Sequence, residues 1–122
     1  MKADLGIDQL GRIISIRYSG TMTFKDLETN WIDLINQQIV GSDIRGFLLD
    51  CRNTIMEITV EEISMLSDFF KRNLSIFQKK KFAYITASPS QIILPLLLQE
   101  EDLLYESKPF STTEAALEWV LN

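Results

Sequence analysis

The sequence contains no histidine and only one cysteine. Histidine is the commonest general base and the commonest metal ligand in proteins, so the usual routes to catalysis and metal binding are missing. A single cysteine cannot form an internal disulfide, which makes the cytosol the expected compartment. We therefore predict a cytoplasmic protein without disulfides.

Long apolar segments and an excess of basic residues are also missing. The longest apolar run, residues 92–98, is interrupted by Pro95 and is far too short to span a membrane. The start, MKADLGIDQLGR, has no continuous apolar stretch and is not expected to be a signal peptide. The net charge is −5, whereas a duplex-binding domain normally carries a basic face, so nucleic acid is not an expected partner. The only basic run, Lys79 to Lys81, is interpreted as a solvated loop.

The remaining composition is that of an ordinary globular domain. Apolar residues make up 46% of the sequence and charged residues 24%, which argues against disorder. A length of 122 residues suits one hydrophobic core. We predict a single domain over residues 1–122.

Hydrophobic periodicity predicts five strands and four helices in the order β-β-α-β-α-β-α-β-α. Strands that alternate with helices imply right-handed crossovers and mainly parallel pairing, with an antiparallel hairpin at the start. The fold class is therefore α/β, with a mixed, mostly parallel five-stranded sheet. Pro109 places the fifth strand at an edge or strand end, and Pro95 predicts a kink or restart in the third helix. The predicted strands are 5–7, 12–18, 46–51, 81–87 and 105–110, with a turn at 9–11, and the predicted helices are 23–38, 59–74, 88–102 and 111–121.

Every predicted helix begins with a hydroxyl residue followed three positions later by an acid or a glutamine. In such a capping box the hydroxyl accepts the third amide of the helix, and the later side chain accepts the amide of the cap. Agreement between these local signals and the periodicity supports the helix starts. The pairs are Thr23 with Asp26, Thr59 with Glu62, Ser88 with Gln91, and Ser111 with Glu114.

Five segments resemble the SpoIIAA-like family, small bacterial proteins related to STAS domains, which have the fold of anti-sigma-factor antagonists. The segments are RYSGTMTFKDLE, GFLLDCRN, ITVEEISMLSDFFKRNL, KKFAYITASPSQ and PFSTTEAALEWVL. The resemblance covers nearly the whole chain and rests on order and spacing. It implies a STAS-like fold with a mixed sheet and four helices, in the order that periodicity predicts.

The same resemblance makes Thr59 a candidate phosphate acceptor. In phosphorylatable STAS domains the acceptor is a Ser or Thr at the start of the second helix, and counting on from Asp50 places Thr59 there. The context differs, because Ile58 stands where an Asp is typical, and Glu61 and Glu62 would repel a phosphate. Capping alone also explains Thr59.

A candidate ligand site follows the third predicted strand. Asp50, Cys51 and Arg52 come at its carboxyl end, the edge where open α/β sheets bind ligands. A catalytic cysteine would need a partner that lowers its pKa, so a buried structural cysteine beside an Asp that binds loop amides is the better interpretation. Asp50 and Glu57 lack a recognised metal-ligand spacing, and no glycine-rich phosphate loop occurs. We predict no catalytic residue, no metal, no cofactor and no enzyme activity.

The third predicted helix carries more apolar residues than one buried stripe needs. Its excess leucines and isoleucines predict an exposed interface or an apolar groove, unless a kink at Pro95 turns them all into the core. The candidate residues are Ile93, Leu94, Leu96, Leu97 and Leu98, together with Phe69 and Phe77.

Two functions fit these features. The first is a non-enzymatic regulatory or scaffold module that binds another protein or forms a homodimer through the apolar surface around the second and third helices. The second is a carrier of a lipid or other small apolar ligand, because SpoIIAA-like proteins are often grouped with CRAL-TRIO lipid-binding domains. Its cavity would be lined by residues 92–98 with Phe69, Phe70 and Phe77.

Overall fold

A computed structural model of the protein describes residues 1–8, 12–100 and 105–122. The strands are β1 (Lys2–Asp8), β2 (Ile13–Thr23), β3 (Gly46–Glu57), β4 (Lys81–Ile85) and β5 (Glu106–Phe110). The helices are α1 (Phe24–Asn36), α2 (Val60–Arg72), α3 (Leu74–Phe77), α4 (Pro89–Glu100) and α5 (Thr113–Leu121). The predicted turn at 9–11 and the end of the third predicted helix, 101–102, lie outside the described residues.

The strands form one sheet in the order β1-β2-β3-β4-β5. β1 is antiparallel to β2, and the other neighbours are parallel, so the predicted mixed, mostly parallel α/β fold is confirmed. The prediction of four helices is wrong by one among the described residues, because the second predicted helix is broken at Asn73 (φ −114°, ψ 30°). The side-chain amide of Asn73 donates to the carbonyl of Phe69 at 2.9 Å, and the chain then forms the single turn α3.

β2 and β3 are both longer than predicted. The prediction of a loop after Arg52 is wrong, because residues 53–57 of β3 continue the parallel ladder with residues 19–23 of β2. These pairings satisfy backbone groups that a loop would leave to solvent. The register shifts where Asp50 pairs with Arg17 and Asn53 pairs with Ser19, so Cys51 and Arg52 form a bulge in β3.

One face of the sheet is covered by α1, α2 and α4 and holds the main core. Trp31, which is fully buried, lies at its centre. The indole meets four phenylalanine rings edge-on at centroid distances of 5.0, 5.5, 5.6 and 5.6 Å, and each such pair adds about 0.5–1.5 kcal/mol beyond burial. The four rings belong to Phe47, Phe70, Phe77 and Phe82.

Among the described helices, only α5 covers the opposite face. A smaller core there joins Leu48, Ala83 and Ile85 of the sheet to Ala116 and Val120 of α5. Because α5 packs on β3, β4 and β5, the part of this face formed by β1 and most of β2 remains open to solvent.

Two of the four predicted capping boxes are confirmed in full. The Thr23 hydroxyl accepts from the Asp26 amide at 3.2 Å, and the Asp26 carboxylate accepts from the Thr23 amide at 3.4 Å. The corresponding distances for Thr59 and Glu62 are 3.1 and 2.9 Å. The shorter Asp side chain makes the longer second bond, as its reach implies.

The other two boxes depart from the prediction. Gln91 accepts from the Ser88 amide at 3.2 Å, but the Ser88 hydroxyl lies 3.2 Å from the Ser90 hydroxyl. At α5 the prediction is wrong by one residue, because Thr112 is the cap and accepts from Ala115 at 3.2 Å. Adjacent hydroxyl residues can both cap a helix, and Thr112 holds the last extended position (φ −132°, ψ 152°).

Two of the three lysines in the basic run are structural, which corrects the prediction of a solvated loop for them, while Lys79 is exposed. Lys80 is only 6% exposed, and its ammonium donates to the carbonyls of Gly41 at 3.2 Å and Ile44 at 2.9 Å. The Lys81 ammonium donates to the carbonyl of Trp119 at 3.0 Å and lies 5.3 Å from the centre of its ring. Two lysines therefore hold neighbouring chain segments against the sheet.

We expect Gly46→Ala to destabilise the fold by about 3 kcal/mol, because the new methyl group overpacks the junction of β3, β4 and α5. A Cβ at Gly46 would overlap the carbonyl oxygen of Lys81 and lie 2.9 Å from a methyl group of Val120. The matched control is Gly6→Ala, where the nearest atom, the Ser15 carbonyl oxygen, would lie 3.9 Å away. Urea unfolding followed by circular dichroism measures both variants, and equal losses would contradict this account of Gly46.

Candidate functional site

The bulge in β3 places Asp50 and Arg52 at the carboxyl edge of the two strands that follow in the sheet. Asp50 pairs with Ile85, the last residue of β4, and Ile85 pairs with Phe110, the last residue of β5. The predicted site residues were expected at the end of their own strand. β3 instead continues, and the neighbouring strands end beside it.

Asp50 and Arg52 form a bidentate ion pair. The Arg52 Nε donates to Asp50 Oδ1 at 3.0 Å, and Nη2 donates to Oδ2 at 2.8 Å. The Arg52 backbone amide donates to Oδ1 at 3.1 Å, and Arg17 Nε lies 4.0 Å from Oδ2. The guanidinium also donates to the Thr113 hydroxyl at 3.5 Å, which links the bulge to the start of α5.

The carboxyl of Asp50 is kept ionised by its neighbours. Partial burial raises its pKa, but the hydrogen bonds and charge of Arg52, with the charge of Arg17, outweigh burial and lower the pKa below its ordinary value. The site is therefore a neutralised pair of fixed charges at neutral pH.

Cys51 points into the main core. It is 1% exposed, and burial, together with the nearby Asp50 charge, raises its pKa to about 12. The thiol is therefore protonated at neutral pH, and a protonated thiol is a poor nucleophile.

Gln91 at the start of α4 holds the bulge in place. Its side-chain nitrogen donates to the carbonyls of Arg52 at 3.3 Å and Thr54 at 3.0 Å. Its side-chain oxygen accepts from the Ala87 amide at 2.7 Å, in addition to Ser88. The Thr54 hydroxyl donates to the Cys51 carbonyl at 2.7 Å. Sequence reasoning identified Gln91 as part of a cap but missed its link to β3, because nothing local marks a contact 37 residues away.

Two open cavities flank this bulge. One, of about 430 Å³, lies beyond the ends of β4 and β5, and its lining includes Arg52, Thr86, Ser88 and Phe110. The other, of about 310 Å³, lies on the α5 face, and its lining includes Asp4, Arg17, Asp50 and Thr113. The Asp50–Arg52 pair contributes one residue to the lining of each cavity.

Neither a cluster of metal-ligating side chains nor a membrane-spanning helix is found in the described part of the chain. No three potential metal-ligating side chains are grouped there. None of the helices found there is long and apolar enough to cross a bilayer.

Thr59 is exposed at the start of α2, directly after β3. Its hydroxyl accepts the Glu62 amide within the capping box, and Glu61 stands beside it in the first turn. The candidate phosphate acceptor is thus accessible to solvent, and its oxygen already satisfies a helix amide.

The apolar residues proposed for an interface or groove divide into core and surface. Phe69, Phe77, Leu94 and Leu98 are buried in the main core, and Leu97 is half-buried against it. Of the two alternatives, exposed interface or groove and burial in the core, these residues therefore take the second, because α4 continues as a helix through Pro95 and turns one side to the core. Ile93 and Leu96 are 51% and 43% exposed.

The residues predicted to line a lipid cavity also pack against other rings. The Phe70 ring lies 5.3 Å from that of Tyr105 and 5.0 Å from that of Phe77. Phe69 contacts the same group at 5.7 Å from Phe70. These side chains fill the core between α2 and the sheet.

We expect Thr59→Ala to lower the free energy of unfolding by about 1 kcal/mol, because the Glu62 amide loses its acceptor. The matched control is Ser64→Ala on the exposed side of α2, which should be neutral or slightly stabilising because alanine favours helix. Chemical denaturation measures both variants. A loss at Ser64 as large as that at Thr59 would contradict the capping role.

We expect Asp50→Asn to destabilise the protein at neutral pH and to have little effect in acid. A carboxyl with a lowered pKa stabilises the fold above its unfolded-state pKa, and this contribution is lost as the pH falls through the folded-state pKa. The difference in the free energy of unfolding between wild type and variant should therefore decrease below about pH 4. Unfolding curves from neutral pH to pH 3 measure it, with the exposed Asp68→Asn as control. A gap that stays constant with pH would contradict the ionised pair.

Comparison with known proteins identifies the fold. An uncharacterised protein with a SpoIIAA-like fold from Shewanella loihica PV-4 aligns with a TM-score of 0.58 and 17% identity, over 98% of this chain and 92% of that protein. The anti-sigma factor antagonist SpoIIAA in its unphosphorylated form aligns with a TM-score of 0.60 and 10% identity, over 98% and 97% of the two chains. No protein-family model and no curated protein matches the chain. The protein therefore has a SpoIIAA-like fold, which confirms the fold that the sequence resemblance implies.

Proposed function

We propose that this domain is a non-enzymatic regulatory module that acts by binding another protein through the outer surfaces of α2 and α4. The observation that carries this proposal is a group of exposed apolar side chains on these two helices. Met65 is 50% exposed, Ile93 51% and Leu96 43%. We call these three residues the helical surface.

The position of the helical surface follows from the sides of the helices that are buried. Ile63, Leu66 and Phe70 anchor α2, and Leu94 and Leu98 anchor α4. At 3.6 residues per turn, the three exposed side chains project from the opposite sides of their helices. Because α2 and α4 pack against each other on one face of the sheet, the three side chains share one outer surface.

An exposed apolar group of this kind is typical of a protein interface, because contiguous apolar patches are uncommon on the surfaces of monomeric proteins. The similar structure of SpoIIAA gives further support, since an anti-sigma factor antagonist acts on another protein. The chemistry of the bulge agrees, because Cys51 is protonated and Asp50 is paired with Arg52. Binding rather than catalysis is the function that these features favour.

The test starts by replacing Ile93 with a photo-crosslinking amino acid in the full chain in cells. We expect it to capture one defined protein, whereas the same amino acid at Ile32, an exposed apolar position on α1, should not. The captured protein is then purified for binding measurements. Leu96→Glu should weaken its binding at least about tenfold, as loss of a central apolar contact does, and Ile32→Glu should leave it unchanged.

The helicity and thermal stability of both glutamate variants must match wild type for this comparison to stand. Equal weakening by the two variants, or equal capture from the two positions, would contradict a partner site on the helical surface. Capture of a second copy of the chain would identify self-association as the use of this surface.

A further inference from the structure

β1 is an outer strand of the sheet with an open edge. All seven of its residues are exposed, and among the described strands it pairs only with β2. Natural proteins usually protect such edges with charged side chains, proline, bulges or short strands. Of these devices β1 has only charged residues, Lys2, Asp4 and Asp8. The other outer strand, β5, has five residues and includes Pro109, whereas β1 has no proline and its ladder with β2 is regular.

The sequence of β1, KADLGID, is complementary to itself in antiparallel register. When the strand is placed opposite a second copy about a two-fold axis at Leu5, all seven residues are paired. Lys2 then lies opposite Asp8 of the other copy, Ala3 opposite Ile7, and Leu5 opposite Leu5. Opposite charges and apolar pairs stabilise antiparallel strands in these directly facing positions.

The neighbouring two-fold registers are unfavourable. An axis at Asp4 places the two Asp4 carboxylates opposite each other. An axis at Gly6 places Asp4 opposite Asp8 of the other copy. Like charges directly across a strand pair are destabilising, so the register that pairs the whole strand is also the one that electrostatics favours.

We propose that β1 is the docking edge for a second copy of this chain, joined antiparallel about a two-fold axis at Leu5. This inference goes beyond the proposed function, because it uses a surface separate from the helical surface. The contact is isologous, so it closes as a dimer and joins two five-stranded sheets into one.

The apolar side chains of β1 favour a second copy of this chain as the partner of the β1 edge. Leu5 is 44% exposed and Ile7 48% exposed, and they pair with Ile16 and Ile14 of β2, whose side chains lie in the main core. Directly paired residues share a face, so Leu5 and Ile7 of both copies would form an apolar row between the two helical layers. Asp8 also interacts within its own chain, and its two carboxylate oxygens can accept from Lys2 of the other copy as well.

Charge reversal tests the proposal on the full chain by sedimentation velocity at about 0.15 M salt, where charges more than about 8 Å apart are screened. Wild type should dimerise with rising concentration. Lys2→Asp places like charges opposite each other twice per dimer, and so does Asp8→Lys. We expect each variant to weaken dimerisation at least about tenfold. An equimolar mixture of the two variants restores both opposite-charge pairs and should form a heterodimer as tightly as wild type.

The mixture also shows that each variant is folded and competent to bind. Asp4→Lys is the matched control, because Asp4 faces Gly6 of the other copy in the proposed register, and its dimer affinity should stay within about threefold of wild type. If Asp4→Lys made the dimer tenfold tighter, the proposed register would be overturned. Such a gain requires position 4 to lie opposite Asp8 of the other copy, as it does only in the register with its axis at Gly6. A wild type that stays monomeric at millimolar concentration, or a dimer insensitive to both reversals, would overturn the proposal.

Leu96→Glu separates this inference from the proposed function. This substitution should leave the dimer intact while it weakens binding of the captured protein. A dimer that is lost on Leu96→Glu and insensitive to charge reversal in β1 would overturn the β1 edge and assign self-association to the helical surface.

Discussion

Two backbone carbonyl groups of β3 lie beyond the end of the neighbouring strand β4. The structure of this sheet edge depends on which groups donate hydrogen bonds to them. β4 stops at Ile85, opposite Asp50, so the carbonyls of Arg52 and Thr54 have no strand partner on that side. A buried backbone carbonyl without a hydrogen bond costs on the order of 1–3 kcal/mol. The side chain of Gln91 meets this requirement by donating to both. Gln91 thereby fixes the start of α4 against the bulge and sets the relative position of Arg52 and the two cavities.

The order of the elements other than α3 could be predicted from the sequence, because α1 and α2 each carry one apolar stripe and each predicted helix starts at or beside a recognisable hydroxyl. The end of β3 could not. Thr54 is buried and Ile55 exposed, so the segment alternates as a strand does, but its polar residues are equally typical of a loop. Only the pairing with residues 19–23 of β2 decides between them, and that pairing joins segments more than 30 residues apart. Hydrophobic periodicity shows which side of a segment is apolar, but it carries no information on which distant strand the segment pairs with.

The candidate site shows the same limit. The sequence placed Asp50, Cys51 and Arg52 at a sheet edge, but not the bulge that sends Cys51 into the core and keeps Arg52 at the surface. On α4, apolar residues surround the helix, so periodicity could not separate Leu94 and Leu98 in the core from the exposed Ile93 and Leu96. The burial of Lys80 could not be predicted from the sequence either, because its acceptors are carbonyls of a distant loop.

The length of β3 also constrains a switch at Thr59. β3 ends at Glu57, and only Ile58 separates the strand from the cap, so there is no free loop to carry the hydroxyl away from the helix. A phosphate on Thr59 would replace the acceptor of the Glu62 amide with a dianion beside two glutamates. The favourable helix N-terminus would oppose this repulsion, but the reciprocal bond from the Thr59 amide to the Glu62 carboxylate would face a like charge. Phosphorylation here would therefore loosen the first turn of α2 rather than order it.

The two proposed surfaces lie at opposite edges of the sheet, which has a consequence for assembly. β1 forms one edge, while α4 packs against β5 at the other. Directly paired residues of two antiparallel strands share a face, so a dimer through β1 would place both helical layers on the same side. With neighbouring strands about 4.8 Å apart, the two β5 strands would lie roughly 40 Å from each other. Such a dimer would present two copies of the helical surface, and a partner with two suitably spaced sites would bind it more tightly than either site alone.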